Sequence, residues 1–370
     1  MPDPVVVIGA GAAGLATARE LAKRRVQYRL LERGSAPGQT WADLYDSLRL
    51  HTGRHLSALP GLRMPRGTPL FPSRTDFHGY LRTYARVHGI DVETGRAVDS
   101  VRRVDDQWVV ESAGEHIGAS AVVVATGIVA NPLVPVFPGR DAFEAAGGRV
   151  LHSAGYRRPA PFGGRRVLVV GVGNSGGEIA SELARFGVDV TVAVRSGAHV
   201  VPLTVAGLPI QYLATVVRRL PRSVQEKVAA AVRRASARRR GPPVLPVPAH
   251  SPLDAIPLIG FHLVDEIRAG RVRVRPGIDA FTHTGVRFSD GEEEDFDDVI
   301  LATGFRPALA TFGAALRRDA RGFALRTDRV RSSDFPDVVF VGHNYDSRGG
   351  LLNIATDAPL AADHIVRAVR

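Results

Sequence analysis

One motif occurs twice in this chain, and the duplication constrains the fold more than any other feature. The first copy reads Val5-Val6-Val7-Ile8-Gly9-Ala10-Gly11-Ala12-Ala13-Gly14, and the second Val167-Leu168-Val169-Val170-Gly171-Val172-Gly173-Asn174-Ser175-Gly176. In each, an apolar run rich in β-branched residues reads as a buried parallel strand. A Gly-x-Gly-x-x-Gly turn follows. Apolar residues then recur at helical spacing: Leu15, Ala18, Leu21 and Ala22 after the first turn, Ile179, Leu183 and Phe186 after the second. Each predicted helix leads into a further strand, Tyr28–Glu32 and Val188–Arg195. A glycine motif alone is weak evidence; a strand before it and a helix after it make it specific for a dinucleotide. The first glycine permits the tight turn, the second lets a pyrophosphate approach the backbone, and the third lets helix and strand pack closely. The helix N-terminus then offers unpaired N–H groups to phosphate.

The two copies differ where it matters chemically. Glu32 stands 23 residues after Gly9, where a carboxylate can accept hydrogen bonds from a ribose diol. Arg195 stands 24 residues after Gly171 and is followed by Ser196. A cation and a hydroxyl there suit a 2′-phosphate, which an acid would repel. The first site is expected to hold an adenine dinucleotide with a free ribose, such as FAD, and the second to prefer NADP(H) over NAD(H). A second duplication marks the exit from each unit: Ala125-Thr126-Gly127 and Ala302-Thr303-Gly304 each end an apolar strand. Small residues there let the chain pass close to a bound dinucleotide. The candidate cofactor-binding residues are therefore Gly9, Gly11, Ala13, Gly14, Glu32, Ala125, Thr126 and Gly127 at the first site. At the second they are Gly171, Gly173, Asn174, Ser175, Gly176, Arg195, Ser196, Ala302, Thr303 and Gly304.

The fold class that follows is α/β: two Rossmann-like dinucleotide-binding domains, each a central parallel sheet flanked by helices. A chain of 370 residues accommodates two such domains. A linker is expected around Pro159–Gly164. Asp337–Val341 reads as one more strand and Ala355–Val369 as a closing helix, both returning to the first domain. The expected plan is an FAD domain made of residues 1–158 and 305–370. An NADPH domain, 159–304, is inserted in it and carries a helical insertion at about 205–260.

Composition excludes several chemistries. There is no cysteine, which removes disulfides, thiolate metal sites, cysteine nucleophiles and dithiol relays; no metal site is expected. No apolar run is long enough to span a membrane, and the first apolar run lacks a basic leader, so the cytoplasm is the expected compartment. The net charge is +11, yet nine basic residues and one acid fall within Arg218–Arg240. The excess is local and does not read as a nucleic-acid footprint. Val224, Val228, Ala231, Val232 and Ala235 make this stretch a basic amphipathic helix. It reads foremost as a helical insertion with solvent-facing arginines, and alternatively as a weak membrane-surface element. Pro242–Pro248 is expected to be extended.

More specific segments carry a family resemblance. Gly171-Val172-Gly173-Asn174-Ser175-Gly176-Gly177-Glu178 resembles the NADPH motif of class B flavin-containing monooxygenases. Gly148-Arg149-Val150-Leu151-His152-Ser153-Ala154-Gly155-Tyr156 resembles their fingerprint, with Ala146 at its leading aromatic position. Trp41 with Tyr45-Asp46-Ser47-Leu48-Arg49-Leu50-His51 is similar to a segment of the plant YUCCA branch, and the Gly350-Leu351-Leu352 stretch also matches. The resemblance adds Arg33, Thr40, Trp41, Val98, Gly342 and Leu351 to the expected cofactor contacts. It gives His152 and Tyr156 a role in holding NADP(H) or in a hinge. Animal-type members place an asparagine near the flavin where His51 or Thr52 stands here, so His51 and Asn353 are the candidates for the catalytic face.

The resemblance implies that NADPH reduces FAD and that reduced flavin forms a peroxide adduct with dioxygen. One oxygen atom then passes to a small organic substrate, either a soft N or S nucleophile or an aryl 2-oxo acid or other carbonyl. In such a reaction the protein's task is placement and exclusion of water. An NADPH-dependent flavin reductase or electron-transfer protein, and a non-catalytic FAD-binding redox sensor, are the alternatives. The oligomeric state is left open, a homodimer included.

Overall fold

The two β-branched runs become central strands of two separate parallel sheets in the computed structural model of the chain, which describes residues 3–129, 131–344, 346 and 349–369. The chain divides into two units. Unit 1 contains residues 1–43, 52–131 and 305–370, and unit 2 contains 44–51 and 132–304.

In unit 1 the strands Val338–Phe340, Ala121–Val124, Val5–Ile8 and Tyr28–Leu31 lie side by side in that order, all parallel. Val5 stands opposite both Tyr28 and Ala121, so the Gly9 turn and the Ala125 turn leave the sheet at the same edge. The helix Ala12–Lys23 follows the first turn directly. A three-stranded antiparallel sheet, Val98–Val104, Gln107–Ser112 and Glu115–Ala119, contributes Trp108, Val110 and Ile117 to the core built on Val6, Ile8, Val122 and Val338. The closing helix runs from Gly350 to Ala368. It starts earlier than the apolar spacing suggests because Gly349, at φ +91°, turns the chain into it.

In unit 2 the order is Val272–Pro276, Asp189–Val194, Arg166–Val170, Asp298–Leu301 and Arg149–His152, again all parallel. Successive residues of Arg166–Val170 point to opposite faces. Val167 and Val169 enter a core with Ile179, Leu183 and Val192, whereas Leu168 and Val170 enter another with Phe143, Phe281 and Phe288. Both faces are covered, which is why the strand shows no polar alternation in sequence. Burial of each such side chain stabilises by about 1.5–3 kcal/mol.

The division differs from the expected 158/159 boundary in two places. Arg149–His152 pairs residue by residue with Asp298–Leu301, which places the fingerprint segment in unit 2 and moves the boundary to 131/132. Residues 44–51 also cluster with unit 2. Within the expected insertion, Ile210–Val217 and Arg222–Arg240 are helical, and Leu258–Ile259 pairs with Val200–Val201. Pro221 delays the basic helix to Arg222. Its arginines are exposed; Arg222 pairs with Asp254 and Arg240 with Asp265. The Pro242–Pro248 stretch forms no regular element, and Leu245 anchors it in the core. No helix among the described residues is long and apolar enough to cross a membrane.

Candidate dinucleotide sites

Each glycine turn can be tested by asking what a side chain would meet there, and the two turns answer alike. Gly9 and Gly171 sit at φ +98° and +100°, a region other residues rarely adopt. A Cβ at Gly9 would lie 2.9 Å from the Ala125 carbonyl oxygen, and one at Gly171 would lie 2.7 Å from that of Ala302. A Cβ at Gly14 would overlap the Gly9 carbonyl, and one at Gly176 the Gly171 carbonyl. Around Gly11 and Gly173, by contrast, nothing lies within 4 Å of that position. Each turn is thus closed at its first and third glycines and open at its second, the shape a pyrophosphate requires. The residues present fit a dinucleotide at both turns.

At the first turn the Glu32 carboxylate is buried and accepts the Ala10 amide at 2.7 Å and the Gly34 amide at 2.8 Å. These bonds fix its orientation beside the turn. The Gly38 amide donates to the Ala10 carbonyl, which brings the short helix Gln39–Ala42, with Thr40 and Trp41, to the same place. Trp41 meets Phe77 edge-on, with ring centroids 4.5 Å apart. Ala13 is buried, and a Cβ at Gly342 would stand 3.1 Å from its side chain. Thr126 donates to the Ala308 carbonyl, which ties down the Ala125–Gly127 turn. Arg33 is exposed, Val98 opens the first antiparallel strand opposite Ser112, and Leu351 lies in the first turn of the closing helix.

At the second turn Asn174 uses its side chain locally: its amide nitrogen donates to the Pro257 carbonyl and its oxygen accepts the Ile259 amide. Arg195 and Ser196 are exposed just beyond the strand Asp189–Val194, and no carboxylate among the described residues pairs with Arg195. Thr303 donates to the Leu133 carbonyl. His152 Nδ1 accepts the Ala154 amide, so the ring proton sits on Nε2, which donates to the Gly304 carbonyl at 3.0 Å. Burial holds this imidazole below its ordinary pKa, partly opposed by the Gly304 bond. His152 is thereby a neutral tie to the Ala302–Gly304 turn. Tyr156 is buried against Phe162 and Tyr45, and its hydroxyl donates to Glu182.

The two candidates for the catalytic face lie in different units. His51 is bonded through Nε2 to Glu178, whose carboxylate also accepts the Tyr45 hydroxyl. Asn353 is fully buried in unit 1. Its amide nitrogen donates to the Asn344 carbonyl and to Asp346, and its oxygen accepts Arg329. Arg329 and Asn344 also bind the buried Asp357, so Asn353 belongs to a polar network. Sequence reasoning passed over Glu178 and Tyr45 as site residues, although both stand in the quoted motifs; the signal was the acid closing Gly171–Glu178. Among the described residues no three metal-ligating side chains gather.

Comparisons with known proteins show the family of the chain. The family model of pyridine nucleotide-disulphide oxidoreductases matches residues 6–236. The indole-3-pyruvate monooxygenase YUCCA1 of Oryza sativa subsp. japonica is 35% identical over 312 residues, covering 81% of this chain and 76% of that protein. A probable indole-3-pyruvate monooxygenase, YUCCA1 of Arabidopsis thaliana, is 31% identical over 378 residues, covering 97% and 89%. Among solved structures, a flavin-containing monooxygenase from Stenotrophomonas maltophilia superposes with a TM-score of 0.78 at 25% identity, covering 99% of this chain and 98% of that one.

Proposed function

Because the chain belongs to the pyridine nucleotide-disulphide oxidoreductase family, and within it to the flavin monooxygenases that include the YUCCA enzymes, we propose that it transfers one oxygen atom from dioxygen to a small organic acid or other carbonyl compound at the expense of NADPH. The observation that carries this reading is the pair of sterically matched glycine turns whose strands end differently, one in Glu32 and the other before Arg195-Ser196. The enzyme is an oxidoreductase that uses FAD and NADPH. When bound, FAD takes a hydride from NADPH and in its reduced form activates dioxygen, so that one oxygen atom enters the substrate and the other leaves as water.

The chain's own residues do the placing. In this reading Gly11 and Gly173 leave room for the pyrophosphates, and the helix N-termini behind them present amide donors. Glu32, held by Ala10 and Gly34, turns its remaining lone pairs to a ribose. Arg195 meets the 2′-phosphate as a charge-assisted partner. His152, kept neutral, steadies the turn at Gly304 without exchanging protons with substrate. The family name includes disulphide reduction, but a chain without cysteine cannot relay electrons through a dithiol.

For the substrate, the relatives' names favour an aryl 2-oxo acid of the indole-3-pyruvate type over amines and sulfides. The deciding experiment mixes NADPH-reduced enzyme rapidly with dioxygen, with and without 2-oxo acids, amines, sulfides and ketones, and measures hydrogen peroxide in parallel. Tight coupling of NADPH use to oxygenated product with a 2-oxo acid supports the proposal. Stoichiometric peroxide with every compound would assign the chain to plain flavin reduction, and a flavin that NADPH never reduces would assign it to redox sensing.

A further inference from the structure

Residues 44–51 belong to unit 2, and Leu44, Tyr45, Asp46 and His51 are all bonded to residues of that unit. Its backbone is pinned at one end: the Asp46 amide donates to the Arg157 carbonyl, and Arg157 donates back to the Leu44 carbonyl, both at 2.9 Å. Its side chains converge on one carboxylate. Glu178 is the fifth residue of the helix Asn174–Phe186 and receives the Tyr45 hydroxyl on one oxygen and His51 Nε2 on the other. Glu178 shares its helix with Ser175, a residue of the second glycine turn itself. Tyr45 and His51 of the segment are therefore joined through Glu178 to the helix that opens at the second glycine turn.

This arrangement is more than packing. Glu178 and Glu182 are like charges one helical turn apart, a mildly unfavourable pair unless each finds a donor. Tyr45 and Tyr156 supply those donors, and His51 supplies a third. Burial and Glu178 push the Tyr45 hydroxyl up, which keeps it protonated and donating. Ser175 lies where a pyrophosphate would settle, about 5 Å along the helix from Glu178 at 1.5 Å per residue. A ligand that orders the first turn of this helix thus orders the carboxylate to which the segment is bonded.

We propose that Glu178 is a positioning residue: through Tyr45 and His51 it fastens segment 44–51 to the second dinucleotide helix, so that nucleotide binding at the Gly171–Gly176 turn and ordering of this segment strengthen each other. The inference rests on the reading of that turn as the NADP(H) site. Coupling of this kind is reciprocal, so whatever the nucleotide adds to the segment, the segment returns to nucleotide affinity.

Amide hydrogen exchange on the FAD-loaded enzyme, with and without NADP+, tests this directly and needs no turnover. In the wild type, NADP+ slows exchange both at 171–177 and at the Asp46 and Leu48 amides. In Glu178→Ala the segment exchanges about tenfold faster, the worth of one or two hydrogen bonds, and NADP+ no longer protects it, while protection at 171–177 persists and NADP+ affinity falls several-fold. Glu178→Gln, which keeps an acceptor for Tyr45, recovers part of both effects. Tyr45→Phe keeps the ring in the core and serves if Glu178→Ala does not fold; it is expected to lose the coupling and retain the fold. Segment exchange that ignores NADP+ in the wild type, or that is unchanged in the variants, overturns the proposal. Protection at neither 171–177 nor 44–51 would instead overturn the NADP(H) reading and the proposal with it.

Discussion

At the residue scale, the glycines of one turn should respond oppositely to substitution. Gly14→Ala forces a methyl group into the Gly9 carbonyl, so the strand and helix must part. A loss of about 1–3 kcal/mol in the unfolding free energy of the flavin-free protein is expected from overpacking of this kind. A Cβ at Gly11 has nothing within 4 Å, so Gly11→Val should disturb that stability far less than Gly14→Ala, yet purify colourless, because its side chain occupies the pyrophosphate's approach. A yellow Gly11→Val protein would refute the assignment of the first turn. Arg195→Ala should raise KM for NADPH far more than for NADH, by the ~1.5–3 kcal/mol of a charge-assisted contact; equal losses would show that Arg195 does not read the phosphate. His343 gives a pH prediction. It is fully buried, neither ring nitrogen meets a hydrogen-bond partner among the described residues, and burial pushes its pKa down to about 3. The unfolded chain takes up this proton near pH 6.5, whereas the folded one does not until about pH 3. Stability is therefore complete above pH 6.5 and falls between those values at up to ~1.4 kcal/mol per pH unit. Urea titrations of His343→Leu should show a shallower acid slope than the wild type over this window.

At the scale of elements, the closing helix depends on charge buried beneath it. Asp357 is fully buried on the helix Gly350–Ala368 and takes Arg329 on one oxygen and Asn344 on the other. Asp357→Ala leaves Arg329 without its carboxylate partner, though still bonded to Asn353, and should cost about 1.5–3 kcal/mol, seen as an earlier loss of helical circular dichroism on heating. The same helix shows what the sequence made legible. Its apolar spacing announced a helix, and the motif strands and both turns were readable for the same reason: local periodicity and glycine placement are properties of neighbouring residues. The bonding of Asn353 was not readable, because its partners stand at positions 329, 344 and 346 and only the fold brings them together. The membership of residues 44–51 in unit 2 was hidden likewise, since His51 meets Glu178 across 127 positions of chain. The basic helix was legible as an element, but its ion pairs with Asp254 and Asp265 come from beyond its end.

At the scale of the molecule, each dinucleotide should stabilise the unit that holds it. Saturation at a hundred times Kd adds ~2.7 kcal/mol to a folded state that alone binds the ligand. Calorimetric scans of the FAD-loaded protein with increasing NADP+ should therefore show heat absorption moving upward for the unit containing the second turn; a profile indifferent to NADP+ would contradict that assignment. The interleaving of the units has a consequence for how the chain is made. The first sheet has Val338–Phe340 as its edge strand, and the closing helix follows at Gly350–Ala368. Unit 2, by contrast, draws on nothing beyond residue 304. On a ribosome adding residues from the N-terminus, the inserted unit can therefore mature while the nascent chain is still tethered. The unit containing Val5–Ile8 must wait, with that central strand lacking a completed sheet, until Val338–Phe340 and Gly350–Ala368 have cleared the exit tunnel.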